Sequence, residues 1–199
     1  MYISSSTIER LPKYLRVLRT FKQNKVSNIS STLIAKELGL NPIQVRKDLA
    51  LISNSDGKPK VGFDVNELIN DIESFFNLKC HQKSIIVGAG RLGQALMNYP
   101  SFDNNIKIIA AFDIDKNKID NNKIFYIDDM DKIIKKNKIK IAIITVPKSE
   151  AQSICDMLIN YGIKVIWNFA PIDLKVPNDV KIRNEDLSAS LAILLNGIE

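Results

Sequence analysis

Apolar side chains recur at positions 11, 14, 15, 18 and 21 of the first segment. That i, i+3, i+4, i+7 spacing predicts an amphipathic helix over 7–23. Pro12 is awkward inside a helix, so the regular part is expected to begin near it, with the proline in the first turn. A serine cap opens a short helix over 30–38 that Gly39 is placed to end. Asn41 then caps a second helix over 43–52, with Pro42 at its first position. In that helix Val45, Leu49 and Ile52 share an inward stripe, Gln44 and Lys47 point away from it, and Arg46 sits on the flank. Residues 66–78 form another amphipathic segment, apolar at 68, 69, 72, 75 and 76.

From residue 84 the pattern changes. β-Branched runs at 84–87, 106–112, 124–127, 139–146 and 163–167 alternate with helical stretches at 94–97, 129–134 and 150–161. Uninterrupted apolar strands separated by helices indicate a parallel sheet covered on both faces. The polar stretch 79–83 marks the expected boundary between the two patterns, and it holds His81, the sole histidine, which is expected to be a solvent-facing linker residue.

The two halves carry different candidate chemistry. Two short helices joined by a tight glycine turn form a helix-turn-helix candidate, although an αα-hairpin of a small bundle has the same signature. Ser31, Gln44, Arg46 and Lys47 are its candidate DNA-binding residues. The turn-rich 53–63 suits a β-wing that brings Lys58 and Lys60 to a phosphate backbone, an ordinary surface loop being the plainer alternative. In the second half, Gly88-Ala89-Gly90-Arg91-Leu92-Gly93 follows a strand and opens a helix, the context in which G-x-G-x-x-G cradles a pyrophosphate. Asp113, twenty residues after Gly93 at the end of the next strand, can accept from ribose hydroxyls and would repel a 2′-phosphate. With Asp115 nearby this favours NAD(H) over NADP(H), while an acid that only caps the next turn is the plainer alternative. The strand ends Thr145-Val146-Pro147 and Asn168-Phe169-Ala170-Pro171 are expected at the same carboxyl edge.

Charge sharpens this division. The chain of 199 residues carries a net +6. Residues 1–63 hold 11 Lys and Arg against 4 Asp and Glu, whereas 64–199 hold 17 against 18. The whole positive excess therefore lies in the first third, as expected of a segment that faces a polyanion, or of a solvated basic surface. Two cysteines give neither a disulfide framework nor metal-ligand spacing. No run approaches the roughly 20 apolar residues of a membrane span. A reduced, cytoplasmic setting is expected.

Tests for catalysis return little: there is no Ser/His/Asp set and no metal-ligand cluster, so catalytic and metal residues are expected to be none. Binding without turnover is the simpler expectation. A small NAD-dependent oxidoreductase with a helical appendage, and a nucleotide- or CoA-binding module that meets protein instead of DNA, are the alternatives.

Taken in order, Gln44-Val45-Arg46-Lys47-Asp48-Leu49, the glycine loop through Leu96, Phe112-Asp113-Ile114-Asp115, Thr145-Val146-Pro147, Asn168 to Pro171 and Asn184-Glu185-Asp186-Leu187 resemble the Rex family of bacterial redox-sensing transcriptional repressors over essentially the full length. The resemblance implies an α/β chain with a winged-helix DNA-binding domain (1–79), a Rossmann-like doubly wound NAD(H)-binding domain (80–184) and a C-terminal dimerisation helix (185–199) swapped between the subunits of a homodimer. It implies one NAD(H) per Rossmann domain, with NADH releasing operator DNA and NAD+ permitting binding. It assigns Tyr99 to sensing the nicotinamide ring, and Arg16 with Asp186 to linking the two domains. The chain departs from the family at the wing, where 51–60 lacks the usual glycine-rich aromatic run, and at its end at Glu199, where a less extensive swap is expected.

Overall fold

The computed structural model describes residues 3–54, 57–58, 61–76, 82–99 and 106–195. The chain divides into two compact units, Met1–Cys80 and His81–Glu199.

The first unit is built on helix α1, Ser5–Gln23. It begins well before the position that Pro12 suggests. Ser4 caps it by accepting from the Thr7 amide, and Pro12 lies inside on the exposed side. The hydrogen bond missing at the proline is offset by this cap and by Thr7 and Arg10, whose side chains are anchored to Asp48. Strand β1 (Asn28–Ile29) pairs antiparallel with β2 (Phe63–Asp64), a pairing invisible in the apolar pattern. Between them, α2 (Ser31–Leu38) and α3 (Pro42–Ile52) follow the predicted caps: Ser30 accepts from Leu33, Gly39 ends α2 in the left-handed region, and Asn41 accepts from Ile43. Helix α4 spans Val65–Phe75 under an Asp64 cap, shorter than the 66–78 segment, whose last two residues lie outside the described ones. Leu11, Tyr14, Leu18, Ile34, Val45, Leu49, Leu68 and Ile72 make one buried core from all four helices.

The second unit carries a six-stranded parallel sheet in the order β5-β4-β3-β6-β7-β8. The strands are β3 (Gln82–Val87), β4 (Ile106–Asp113), β5 (Ile124–Tyr126), β6 (Ile141–Ile144), β7 (Val165–Asn168) and β8 (Lys181–Asn184). Counted within this unit the order is 3-2-1-4-5-6, the doubly wound arrangement with its switch point between β3 and β6. β8 lies beyond the last expected strand. It is short and alternates exposed with half-buried residues, and its pairing with β7 makes it a strand.

Helices α5 (Arg91–Met97), α6 (Met130–Asn137) and α7 (Lys148–Asn160) cover the sheet unequally. On one face Ile85, Val87, Phe112, Ala142 and Ile144 join Met130, Ile134, Ala151, Cys155 and Leu158 in a large core. On the other, Ile86, Ala89, Ala111 and Ile143 are buried, and Leu96, Ile108, Trp167 and Phe169 are only partly covered. The register jump between Ser84 and Ile85, opposite Ile108 and Ala110, leaves Ile109 as the extra residue. The last helix, α8 (Leu187–Leu195), leaves Leu187, Leu191, Ile193, Leu194 and Leu195 exposed. Among the described residues no helix is long and apolar enough to cross a membrane.

Candidate functional site

Helix α3 turns Val45 and Leu49 into the core and leaves Gln44, Arg46 and Lys47 exposed, as its periodicity predicts. Asp48 behaves unlike a surface charge. It is buried beside Val45 and Leu49, and its carboxylate accepts five hydrogen bonds. Oδ1 accepts from Thr7 Oγ1 (3.1 Å), Arg10 Nη2 (3.0 Å) and Gln44 Nε2 (2.9 Å). Oδ2 accepts from Arg10 Nε (2.6 Å) and Tyr14 Oη (2.7 Å). Burial alone would raise its pKa, but the hydrogen bonds from Arg10, Tyr14 and Gln44 and the charge of Arg10 hold it below the usual carboxylate range. Burial, together with the ionised Asp48, pushes the Tyr14 phenol upward. Helix α1 thereby grips the candidate recognition helix through one ionised hub. The signal for it in the sequence is Thr7, Arg10 and Tyr14 on one face of α1, opposite an acid three residues after Val45.

Ser31 opens α2, half-buried beside the capping Ser30. Lys58 is exposed and forms a tight bridge with Gly62, with the Lys58 amide donating to the Gly62 carbonyl at 2.9 Å and the reverse bond equally short. Lys60 lies outside the described residues.

In the second unit a cavity of about 560 Å³ opens at the carboxyl ends of β3, β4 and β6. Gly88, Gly90, Asp113, Asp115, Thr145, Val146 and Pro147 all line it, so three separated stretches converge there. Gly88 has φ +100°, and a Cβ on it would meet the Thr145 carbonyl oxygen at 2.7 Å. A Cβ on Gly93 would lie 2.0 Å from the Gly88 oxygen, so only glycine lets α5 pack this closely on the loop. At Gly90, by contrast, the space beside the backbone is open. Thr145 ties β6 to the loop by donating from Oγ1 to the Gly88 carbonyl at 2.7 Å.

Asp113 is a second ionised hub. Its Oδ2 accepts from the Ala89 amide (2.8 Å) and Lys118 Nζ (3.0 Å), and its Oδ1 from the Asp115 amide (2.9 Å). Burial pushes its pKa up, and these bonds together with the charge of Lys118 more than reverse that. Asp113 therefore also caps the turn that follows it. Lys118 is a lining residue that the motif pattern does not announce. The 3-10 turn Lys116–Lys118, capped by Asp115, folds it back toward the acid. Glu150, Ile114, Ile127 and Ile154 also line the wall.

Other expected ligand residues are elsewhere. Ala89 and Gly93 are buried in the loop's packing, and Arg91 and Leu92 are exposed on the first turn of α5. Asn168 is fully buried and organises the turn after β7. It donates to the Ala170 and Ile172 carbonyls and to Asn184 Oδ1, and accepts from the Ala170 amide. Phe169 packs against Trp167 with the rings tilted by 53°, Ala170 is buried, and Pro171 is exposed. Thr145 to Pro147 line the cavity, and 168–171 do not.

Comparison with known proteins matches both units. Residues 2–50 fit the family model described as "Putative DNA-binding protein N-terminus", and residues 80–172 fit "CoA binding domain". The redox-sensing transcriptional repressor Rex of Treponema denticola is 42% identical over 196 residues, which is 96% of this chain and 93% of that protein. The chain belongs to the Rex family. Rex-family structures fit it along its length: RSP in complex with beta-NAD+ and operator DNA is 38% identical, with a TM-score of 0.90 over 98% of this chain and 91% of that one. RSP in complex with beta-NADH is likewise 38% identical, with a TM-score of 0.86 over 98% and 93%. Such Rex relatives are named as transcriptional repressors.

Three positions to which the Rex resemblance assigns coupling roles fall in both units. Arg16 is exposed on α1. Tyr99 follows α5 and is half exposed, its amide donating to the Leu96 carbonyl. Asp186 precedes α8 and accepts from the Ala189 amide at 2.8 Å.

Proposed function

We propose that this chain is a DNA-binding repressor controlled by the NADH/NAD+ ratio. The observation that carries the reading is the meeting of Gly88–Gly90, Asp113–Asp115 and Thr145–Pro147 around one switch-point cavity, in a chain whose other unit presents a basic helix-turn-helix and whose Rex relative RSP was solved both with beta-NADH and with beta-NAD+ on operator DNA. In this reading the backbone of Gly88 to Gly90 would hold the pyrophosphate, and Asp113 and Asp115 would accept from the adenosine ribose hydroxyls. Lys58 and Lys60 supply phosphate contacts, and α3 enters the major groove with Gln44, Arg46 and Lys47, Ser31 being the further DNA-binding residue. The dinucleotide is read rather than turned over, in keeping with the relatives' names.

The exposed leucines of α8 and the thinly covered face of the sheet support a homodimer in which residues 185–199 dock on a second copy. An apolar helix of this kind is stable only when covered. Arg16, Tyr99 and Asp186 would connect cofactor state to dimer geometry. Such a switch works only if NADH binds the DNA-released form more tightly than the DNA-bound form, since equal affinity shifts nothing. The setting is cytoplasmic.

A mobility shift of the full chain on duplex DNA at fixed salt, with NAD+, NADH, NADPH or coenzyme A added, tests this. The expected result is release by NADH alone. The CoA arm addresses the second family model, whose ligand shares the adenosine diphosphate portion. DNA binding indifferent to NADH removes the redox switch, and release by coenzyme A at equal concentration reassigns the cavity.

A further inference from the structure

The buried Asp48 also decides which way the Gln44 amide faces. Because Asp48 is ionised its oxygens only accept, so the group 2.9 Å from Oδ1 is the amide nitrogen, and Gln44 Oε1 is turned away from the hub. Gln44 is exposed on α3, and its neighbours Arg46 and Lys47 can only donate. The face that meets a groove therefore carries a preset acceptor among donors. One amide N–H is spent on Asp48, which leaves Oε1 and the second N–H to be matched.

We propose that Gln44 reads an adenine in the major groove, and that Asp48 is the positioning residue that presets its amide. This rests on the DNA-binding reading above. Adenine presents an N6 donor next to an N7 acceptor, the complement of Oε1 and the remaining N–H. Guanine presents two acceptors, which oppose Oε1, and thymine an acceptor and a methyl group. Cytosine offers the N4 donor but leaves the second N–H unmatched. The orientation is imposed from another helix, since Thr7, Arg10 and Tyr14 of α1 hold the carboxylate in place. Asp48 itself is buried and touches no DNA.

The test is selection by the full-length protein from a pool of duplexes with a randomised core, at one salt concentration, comparing wild type with Gln44→Ala, Gln44→Glu and Asp48→Asn. Wild type is expected to enrich adenine at a position where Gln44→Ala loses the preference by about ten-fold or more, with the other positions unchanged. Gln44→Glu should lose the adenine preference as well, because the ionised Asp48 cannot donate to a second carboxylate and no N–H remains for adenine N7. Asp48→Asn offers the amide a donor as well as an acceptor and lets it turn. The adenine preference should then fall while affinity for unselected DNA and its salt dependence hold, a pattern that mere loosening of the unit does not produce. If Asp48→Asn unfolds, the Gln44 variants still decide, as they leave Thr7, Arg10 and Tyr14 on Asp48. Unchanged base preferences in Gln44→Ala, or a changed position that is not adenine, overturn the assignment and leave the repressor reading standing. A wild-type chain that enriches no sequence overturns both.

Discussion

Asp48 and Asp113 are the same residue put to different uses. Both are buried, both are held ionised, and each ties together elements far apart in sequence. Asp48 is closed: five donors saturate it, and its counter-ion Arg10 is itself largely covered, with 19% of the side chain exposed. Asp113 is open: it has three protein donors, its counter-ion Lys118 is 35% exposed, and both residues line the cavity. The difference separates a lock from a socket. A carboxylate with every lone pair engaged fixes the relative placement of α1 and α3. One with capacity left at a cavity wall can shape a glycine loop and still meet a ligand.

Removing each hub should expose that contrast. Asp48→Ala, or Arg10→Met, leaves a buried group uncompensated and should cost about 3–5 kcal/mol, read as loss of the first unit's transition in urea unfolding. Asp113→Ala should cost less, about 1–3 kcal/mol, because Lys118 can turn to solvent and the Ala89 amide is the main orphan. NADH binding by that variant, followed by nicotinamide fluorescence, should nonetheless weaken about ten-fold or more, since loop and ribose site are both disturbed, a loss of about 1.4 kcal/mol or more. Equal stability losses at the two sites would erase the distinction.

Acid offers a milder probe. Both carboxylates have folded pKa values below their unfolded ones, so their contribution is fully present above about pH 4 and is lost as pH falls through the folded values. Thermal melts between pH 6 and 3 should show stability dropping at the acid end, with a shallower drop in Asp48→Asn. The smallest effect is expected of Lys118→Met, about 0–1 kcal/mol, because a pair one-third open to water is well screened. A loss comparable to that of Arg10→Met would show that the second hub is as closed as the first.

The legible parts of the molecule are those dictated locally. Serine, asparagine and glycine caps bound α2 and α3, and the glycine loop between an apolar strand and a helix locates the switch point without tertiary information. Strands β1 and β8 were hidden because two- and four-residue segments become strands through their partners. The early start of α1 was hidden by Pro12, whose cost is met by Asp48 thirty-six residues away. An acid at position 48 resembles a solvent-facing charge until α1 is packed against it. Asn168 misled in the opposite sense: a polar residue at a carboxyl strand end suggested a ligand contact, yet its amide is consumed by its own turn and by Asn184. Lys118 entered the cavity through a 3-10 turn that no periodicity announces.

The central claim is that the second unit's cavity governs what the first unit holds. The most direct measurement is the fraction of a selected DNA duplex bound by the full chain as the NADH to NAD+ ratio is raised at constant total dinucleotide and constant salt. Progressive release is expected as NADH replaces NAD+, with a higher proportion of NADH needed in Asp113→Ala, whose NADH binding is weakened. A bound fraction that does not change across the whole range of ratios, with NADH occupancy of the wild-type chain independently confirmed, would contradict it.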